Sequence, residues 1–416
     1  YPGCWLALLL PTIPALGLAA LLHALGTLFA VRWLTRMHGV RDELAILAGA
    51  GVAAGPLAVW AAVDFQVDAW PAFLWLPVTL GCMRRAADAQ EAGERRAWLR
   101  WVAAGGAAVG LLLLGTHLRV AIGAGALLAL WSLMRGRDLP GAALTGALGL
   151  LVGAPAVLPM LMEARLQGGG VGGLFAAPDQ ALGLWNLAGW LAPKASLHAR
   201  DLGIGAVLGV GAIAAVVSSR EHRRLALFTG LLLLAGSHAP GVRFLLAPLT
   251  ALTAPVNLVY AALAMIPAAV LGAIGLQHLL GTRRGPERAR VGQIAAVLAG
   301  MAVLRLVLGR WTLPSGLAQG LYALAVVQLV AVAGAARAVL ARRDPVPLLV
   351  ALALLDLAAF GLRAHCAVPS TPLRLTSDVR GDPALLADGF LDIEDLAAGF
   401  DAALRSTDAP QEAAEE

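Results

Sequence analysis

Long apolar stretches recur along the whole chain, and short segments that carry charged residues separate them. The hydrocarbon layer of a bilayer is about 30 Å thick, so a helix needs roughly 20 mostly apolar residues to cross it. Stretches near that length lie at Thr12–Leu34, Leu44–Ala62, Trp70–Met83, Trp101–Leu114, Leu118–Met134, Gly141–Met162, Leu202–Val217, Leu225–Ala235, Asn257–Leu280, Val291–Leu308, Leu317–Leu340 and Val346–Leu362. The pattern predicts an all-α fold, a polytopic transmembrane helical bundle of about 11–12 membrane segments.

Composition supports this class of protein. The chain is 59% hydrophobic and 14% charged, whereas a soluble domain carries about 25% charged residues. Two of the stretches, Trp70–Met83 and Leu225–Ala235, are too short to cross a bilayer unaided. We expect these two to recruit flanking residues or to enter the membrane as half-helices.

The connections between the stretches alternate in their arginine content, which predicts topology because short cytoplasmic loops are enriched in Arg and Lys. The arginine-rich connections contain Arg32, Arg36 and Arg41; Arg84, Arg85, Arg95, Arg96 and Arg100; Arg135 and Arg137; Arg220, Arg223 and Arg224; Arg283, Arg284, Arg288 and Arg290; Arg342 and Arg343. The alternate connections hold few basic residues, and one of them is a tight hairpin around Arg119. We expect the arginine-rich set to be cytoplasmic.

This orientation predicts that Tyr1 and the C-terminal tail lie on the outer side. An outer start without a signal sequence also suggests that a further membrane segment preceded Tyr1. Residues 365–416 carry three basic and eleven acidic residues, whereas residues 1–364 carry 28 basic and 15 acidic. We therefore expect a transmembrane domain over 1–364 and an acidic extracytoplasmic tail over 365–416 that could bind a protein partner. Only Lys194 among the 31 basic residues is Lys, which suggests a bacterial cytoplasmic (inner) membrane protein from a GC-rich genome.

Glycine motifs and ionisable residues within the apolar stretches lead to two further predictions. Gly51-x-x-x-Gly55 and Gly106-x-x-x-Gly110 predict close helix contacts. His23 and Asp356 fall near the middle of their membrane segments. Because ionisable groups are costly in lipid, we expect both to face the bundle interior, in a hydrogen-bonded structural role or in proton relay.

The predicted topology brings scattered polar residues to the outer side, and we name these eight the outer group. Its members are Asp64, Asp68, His117, Arg119, His238, Arg243, Asn257 and Tyr260. Carboxylates beside His and Arg can deprotonate a hydroxyl, bind a divalent cation and neutralise a phosphate leaving group. Such a group suits sugar transfer from a lipid phosphate, although ordinary loop residues are an alternative.

Over about residues 1–280 the chain resembles the YfhO-type bacterial membrane proteins, which are similar to the GT-C glycosyltransferases. The resemblance rests on the order of short motifs along the chain. These are Tyr1-Pro2 with Leu10-Pro11, His23 with Arg32 and Arg36, Gly115-Thr116-His117-Leu118-Arg119, Leu187 to Pro193, Gly236-Ser237-His238-Ala239-Pro240, and Thr253-Ala254-Pro255-Val256-Asn257. It implies a GT-C-like fold and a polyprenyl-phosphate sugar as donor.

The chain also departs from the family. Leu118-Arg119 stands where the family has Pro-Gln, and Thr253 and Asn257 replace two arginines of an Arg-x-Pro-x-Arg signature. The resemblance further implies that the principal catalytic carboxylate precedes Tyr1. Arg119 or Arg243 would then have to bind the donor phosphate.

The sequence thus favours a membrane glycosyltransferase that transfers a sugar from a polyprenyl-phosphate donor to a cell-envelope acceptor on the outer side. Asp64 and Asp68 are the candidate catalytic residues, with a divalent metal ion as a possible cofactor. His117, Arg119, His238, Arg243, Asn257 and Tyr260 are the candidate substrate-binding residues. Two alternatives stay open: a multi-pass transporter or lipid flippase that uses His23 and Asp356, and a non-catalytic membrane scaffold subunit that docks through the acidic tail. Nucleic acid is not an expected partner.

Overall fold

The computed structural model describes residues 10, 12–55, 70–116, 118–136, 138–166, 204–218, 222–235, 257–281, 327, 330–331, 333–334 and 346–366. Within these ranges the chain forms ten helices and no strand. They are α1 (Thr12–Arg36), α2 (Asp42–Ala54), α3 (Trp70–Glu91), α4 (Arg95–Gly115), α5 (Leu118–Arg135), α6 (Leu139–Leu166), α7 (Ala206–Ser218), α8 (Arg223–Ala235), α9 (Asn257–Gly281) and α10 (Val346–Cys366). The predicted all-α class is confirmed for this part of the chain.

Four of the described helices contain a segment long and apolar enough to cross a membrane. These segments are Gly17–Arg36, Arg95–Gly115, Leu139–Pro159 and Ala262–Gly281, and shorter apolar helices cover Val120–Met134, Val207–Val216 and Val346–Ala358. Large apolar side chains are also exposed along them, including Phe29, which is 57% exposed, and Leu151, which is 73% exposed. Extensive exposed apolar surface is typical of helices that face lipid tails. These features fit a membrane-embedded protein.

Several helices are longer than the predicted membrane segments. α3 continues to Glu91 instead of ending near Met83, and α4 begins at Arg95 instead of Trp101. A criterion based on hydrophobicity finds only the apolar part of a helix, whereas the backbone hydrogen bonds continue beyond the apolar part. Trp70–Met83 is thus part of one continuous 22-residue helix. This helix is not among the four membrane-length segments, so the two alternatives for its entry into the membrane stay predictions. The predicted segment Val291–Leu308 lies outside the described residues.

The helices form one packed series around α2 and α9. α1 packs on α2 and α3, α3 on α4, and α4 on α6, while α7 and α8 pack on α9. α2 contacts both α9 and α10. In the apolar segment of α9, 83% of the residues are buried, whereas only 22% are buried in the apolar segment of α6. α9 is therefore a central helix, and α6 lies at the periphery.

Close approach at glycine joins α4 to α6. A Cβ placed on Gly106 would lie 2.6 Å from Leu148 Cβ, and a Cβ on Gly153 would lie 2.6 Å from Leu113 Cβ. A Cβ on Gly149 would lie 3.2 Å from the Gly106 carbonyl oxygen. Such distances leave no room for a side chain, so the predicted close contact at Gly106 and Gly110 is confirmed.

The second glycine contact joins α7 to α9. Gly211 lies against the carbonyl of Gly272, and Gly275 lies against the carbonyl of Gly211. In α2, a Cβ on Gly51 would lie 2.9 Å from the Ile204 carbonyl oxygen. The close approach predicted at Gly51 is thus also confirmed. Without a hydrophobic driving force between helices in lipid, contacts of this kind supply much of the association energy.

Polar contacts join several helix ends to one another at one face of the bundle. Arg84 of α3 contacts the ring of His38, which follows α1, with its Nη1 2.9 Å from His38 Nε2. The His38 and His222 ring centroids lie 6.2 Å apart, and His222 immediately precedes α8. Near the end of α9, the Gln277 amide donates a hydrogen bond of 2.9 Å to the Gly39 carbonyl. The ends of α1 and α9, the start of α8 and the part of α3 around Arg84, two turns before its end, therefore lie together.

The indole of Trp98, near the start of α4, donates a hydrogen bond of 3.0 Å to Asp138, which precedes α6. Because a short turn joins α3 to α4, these ends lie on the same face as the contacts around His38. We call it the arginine face, and it is defined by the helix ends that carry Arg36, Arg84, Arg95, Arg135 and Arg223. The prediction that arginine-rich connections share one side is confirmed for these connections, while the compartment that they face stays a prediction.

Gly106→Ala should destabilise the protein by about 1–3 kcal/mol, because the added methyl overlaps Leu148 in a packed interface. Gly146→Ala is the matched control, since a Cβ at Gly146 would meet nothing within 4 Å. Both changes gain the same helix propensity, so Gly146→Ala should be neutral or stabilising. Unfolding of the purified proteins in detergent micelles measures the difference, and equal effects would contradict the close contact.

Candidate functional site

Only three of the eight residues of the outer group lie within the described part of the chain. Asp64, Asp68, His117, His238 and Arg243 lie outside the described residues. Arg119, Asn257 and Tyr260 are placed by their backbone alone, Arg119 in the first turn of α5 and the other two in the first turn of α9. The eight assignments therefore stay predictions.

The backbone nevertheless brings two parts of the outer group to one face. α5 packs against α9, and both helices end at the arginine face. Both consequently begin at the opposite face, so the turns that contain Arg119 and Asn257 lie on the same side of the bundle. The connection predicted as a tight hairpin is short, since two residues separate the end of α4 at Gly115 from the start of α5 at Leu118. The Thr116 hydroxyl in this connection donates a hydrogen bond of 2.9 Å to the Leu112 carbonyl.

Asp356 is a fully buried acidic side chain halfway along α10. Its Oδ2 lies 2.8 Å from the position that a Cβ would take on Gly205. Gly205 has a φ of +85°, which glycine adopts readily and other residues rarely adopt. The prediction that Asp356 faces the bundle interior is confirmed.

The Asp356 carboxylate also lies at the start of a helix. Gly205 accepts the first helical hydrogen bond of α7, from the amide of Gly209 at 3.0 Å. The first turn of a helix has amide groups without helical partners and a partial positive charge, which stabilise a carboxylate. Ile204, just before this point, is fully buried. α7 thus begins inside the bundle, beside an acidic group.

His23 is the second ionisable residue that we expected at membrane depth. It is 7% exposed, and its Nδ1 lies 2.6 Å from the Ala19 carbonyl oxygen. Because a carbonyl only accepts hydrogen bonds, Nδ1 carries the proton. The ring packs beside Trp70, with 5.9 Å between the ring centroids. The interior position predicted for His23 is confirmed.

An ion pair stabilises the turn between α1 and α2 at the arginine face. The Arg32 guanidinium donates two hydrogen bonds of 2.8 Å to the Asp42 carboxylate. These bonds lower the pKa of the Asp42 carboxyl, and the charge of Arg36, 3.9 Å away, also lowers it. Since this pKa is lowered on folding, the ion pair stabilises the fold at neutral pH and is lost as the pH falls through the lowered pKa. The side chains of Arg32 and Asp42 are 37% and 39% exposed, so solvent screens the interaction.

Sequence reasoning missed the partners of the buried groups. Gly205 and Trp70 were not singled out as partners of Asp356 and His23, and neither was the pairing of His38 with Arg84. A local signal existed only for Gly205, which follows Gly203 in an otherwise apolar stretch. The other contacts join helices distant in sequence, which one sequence cannot pair.

Among the residues that the structure describes, no three His, Cys, Asp or Glu side chains form a group that could hold a metal ion. The described helices define the class as an α-helical protein with several helices suited to a membrane. Comparison with known proteins found no matching family model, no matching curated protein and no matching solved structure.

Proposed function

We propose that this chain is the core of a GT-C-like membrane glycosyltransferase that uses a polyprenyl-phosphate sugar on the outer side of a bacterial cytoplasmic membrane. The resemblance of its short motifs to the YfhO-type proteins supports the proposal. The observation that carries it is the packing of α5 against α9, both of which begin opposite the arginine face. This arrangement lets the Arg119 hairpin and the first turn of α9 contribute to one substrate pocket.

The outer group would supply the chemistry of transfer. The acceptor oxygen forms a bond to the anomeric carbon as the bond from that carbon to the phosphate oxygen breaks, and polyprenyl phosphate leaves. The acceptor proton passes to a carboxylate, for which Asp64 and Asp68 are the candidates, or one of them holds a divalent cation. Arg119, Arg243 and His117 would neutralise the leaving phosphate. His238, Asn257 and Tyr260 would bind the rest of the donor.

Removing the predicted phosphate contact should reduce transfer more than it reduces folding. Arg119→Ala in the full-length protein should lower the rate of sugar transfer by at least about tenfold, because a charge-assisted hydrogen bond contributes about 1.5–3 kcal/mol. Incorporation of radiolabelled sugar from a polyprenyl-phosphate donor in proteoliposomes measures the rate.

Arg85→Ala is the matched control, since Arg85 is an exposed arginine near the end of α3 at the arginine face. Its transfer rate should stay at the wild-type level. Wild-type activity of Arg119→Ala, with both variants folded to the same extent, would remove Arg119 from the site.

The second candidate function is a transporter or lipid flippase, and the position of Asp356 favours it. A buried carboxylate beside a helix that begins inside the bundle is typical of substrate or ion sites in transporters. In this alternative, protonation of Asp356 would weaken its attraction to the first turn of α7. The two helices could then separate, which would change access to the site.

Asp356→Asn should abolish the pH dependence of lipid movement, because the amide keeps the shape of the side chain and cannot titrate. Proteoliposomes that contain a fluorescent polyprenyl phosphate provide the assay, with transbilayer movement measured over a pH series. Asp88→Asn is the control, since Asp88 is exposed on α3. If the Asp356→Asn variant retains the wild-type pH profile, the transporter alternative loses its support.

A further inference from the structure

A histidine at the arginine face lies where three elements meet. His38, in the turn between α1 and α2, contacts the Arg84 guanidinium of α3, whose Nη1 is 3.0 Å from His38 Nδ1 and 2.9 Å from His38 Nε2. The ring of His222, just before α8, has its centroid 6.2 Å from that of His38. All three side chains are half-buried. Two imidazoles and a permanent cation are therefore gathered at one place.

The contact with Arg84 requires a neutral His38 ring. A guanidinium only donates hydrogen bonds, and it stays charged in proteins. A neutral imidazole has one nitrogen that accepts, whereas an imidazolium carries a proton on each nitrogen and has no acceptor. A proton on His38 would also place a second positive charge 2.9 Å from the guanidinium nitrogen. Protonation therefore removes the hydrogen bond and replaces it by repulsion between like charges.

The charged side chains on the surrounding elements do not offset this repulsion, because arginines outnumber carboxylates among them. Asp42, the acidic residue nearest to His38 in the α1–α2 connection, accepts two hydrogen bonds from Arg32. The other titratable or charged residues on these elements are Arg36, Arg41 and Glu43 around the turn, Arg85 and Asp88 on α3, Arg223 and Arg224 on α8, and His278 on α9. A proton on His38 thus adds to a local excess of positive charge.

The turn that carries His38 is fixed to α9 by groups that do not titrate. The Gln277 side chain accepts a hydrogen bond of 2.6 Å from the Arg41 amide and donates one of 2.9 Å to the Gly39 carbonyl. The Arg36 guanidinium donates a hydrogen bond of 2.8 Å to the Val40 carbonyl. These bonds are the same whether His38 is neutral or charged, so the turn keeps its place when the ring takes up a proton.

On α3, the contact with α1 also continues through an apolar pair. Gly81, about one turn before Arg84, lies against the Trp33 ring. This pair contains no titrating group and keeps that part of α3 on α1 at any pH. Arg84 is followed by two further turns of α3, which end at Glu91. Loss of the His38 contact would release these two turns.

We propose that His38 is a pH-sensitive link, which holds the last two turns of α3 and the start of α8 to the α1–α2 turn only while its ring is neutral. An imidazole ordinarily takes up a proton below about pH 6.5, so the link breaks in mildly acidic conditions. It responds to the pH of the compartment at the arginine face. The link is separate from the outer group and does not depend on the proposed glycosyltransferase activity.

His38→Gln tests the link, because the glutamine oxygen accepts from Arg84 and the amide cannot titrate. In the unfolded chain His38 takes up a proton below about pH 6.5, whereas the folded contact excludes that proton. Its contribution to stability is therefore present above this pH and is lost as the pH falls below it.

Unfolding of the full chain in detergent gives the acid ratio, which we define as the unfolding constant at about pH 5.5 divided by that at about pH 7.5. One pH unit below the ordinary histidine range corresponds to about a tenfold change, so the acid ratio should be about tenfold smaller in His38→Gln than in the wild type. An unchanged ratio would overturn the proposal.

His278→Gln is the matched control, since His278 is a half-buried histidine at the end of α9 on the same face. Its acid ratio should stay within about twofold of the wild-type value. A decrease in the ratio for His38→Gln no larger than that for His278→Gln would also overturn the link.

Arg84→Gln tests whether the cation on α3 causes the effect. Without this cation, His38 takes up a proton in the folded protein, so adding His38→Gln to Arg84→Gln should change the acid ratio by less than about threefold. If His38→Gln keeps its full effect in the Arg84→Gln background, the contact with Arg84 is not the link and the proposal fails.

The release of α3 is measured as a distance. Spin labels at Glu43→Cys on α2 and Gln90→Cys on α3, two exposed positions, would be attached to the full chain without its native cysteines. The distance distribution should gain a longer component when the pH is lowered from about 7.5 to about 5.5, and His38→Gln should abolish this component. Identical distributions at both pH values in the chain that keeps His38 would contradict the proposal.

Discussion

The fold depends on backbone contact between helices at glycine. Lipid tails are as apolar as leucine side chains, so burying a leucine between helices in a membrane gains little over leaving it in lipid. Close contact at Gly106 and Gly149, and again at Gly211 and Gly275, gives the dispersion energy that ordinary side chains would prevent. These contacts fix α4 on α6 and α7 on α9, and α9 is the most buried of the four membrane-length helices within the described ranges. The positions of the buried polar groups follow from this packing.

Asp356 and His23 show how the bundle includes polar groups at membrane depth. Asp356 lies at the start of α7, where helix amides can stabilise its charge, and the position requires a glycine at 205. His23 satisfies one ring nitrogen within its own helix. Both groups lie in the interior and leave the lipid-facing surface to side chains such as Phe29 and Leu151. Among the described helices, these two ionisable groups therefore lie in the interior and not on the exposed apolar surface.

The all-α class, the shared face of the arginine-rich connections and the interior positions of Asp356 and His23 were predictable from the sequence. Each depends on local composition and on the cost of placing charge in lipid, and both are properties of single segments. The contacts of His23 with Trp70, of Asp356 with Gly205 and of His38 with Arg84 were not predictable. They arise from pairing between helices separated by tens to hundreds of residues, and no periodicity within either partner indicates the pairing. Helix ends were misplaced for the related reason that helices extend beyond the apolar segment.

Sidedness is the central claim, because only a shared compartment allows the Asp64 loop, the Arg119 hairpin and the start of α9 to form one pocket. The most direct measurement is cysteine labelling of intact cells with a membrane-impermeant maleimide, in a background in which Cys4, Cys82 and Cys366 are replaced. Gln66→Cys and Leu118→Cys should react from outside, whereas Gln90→Cys, at the arginine face, should react only after permeabilisation. Reaction of Gln90→Cys from outside, with Gln66→Cys and Leu118→Cys protected, would contradict the account.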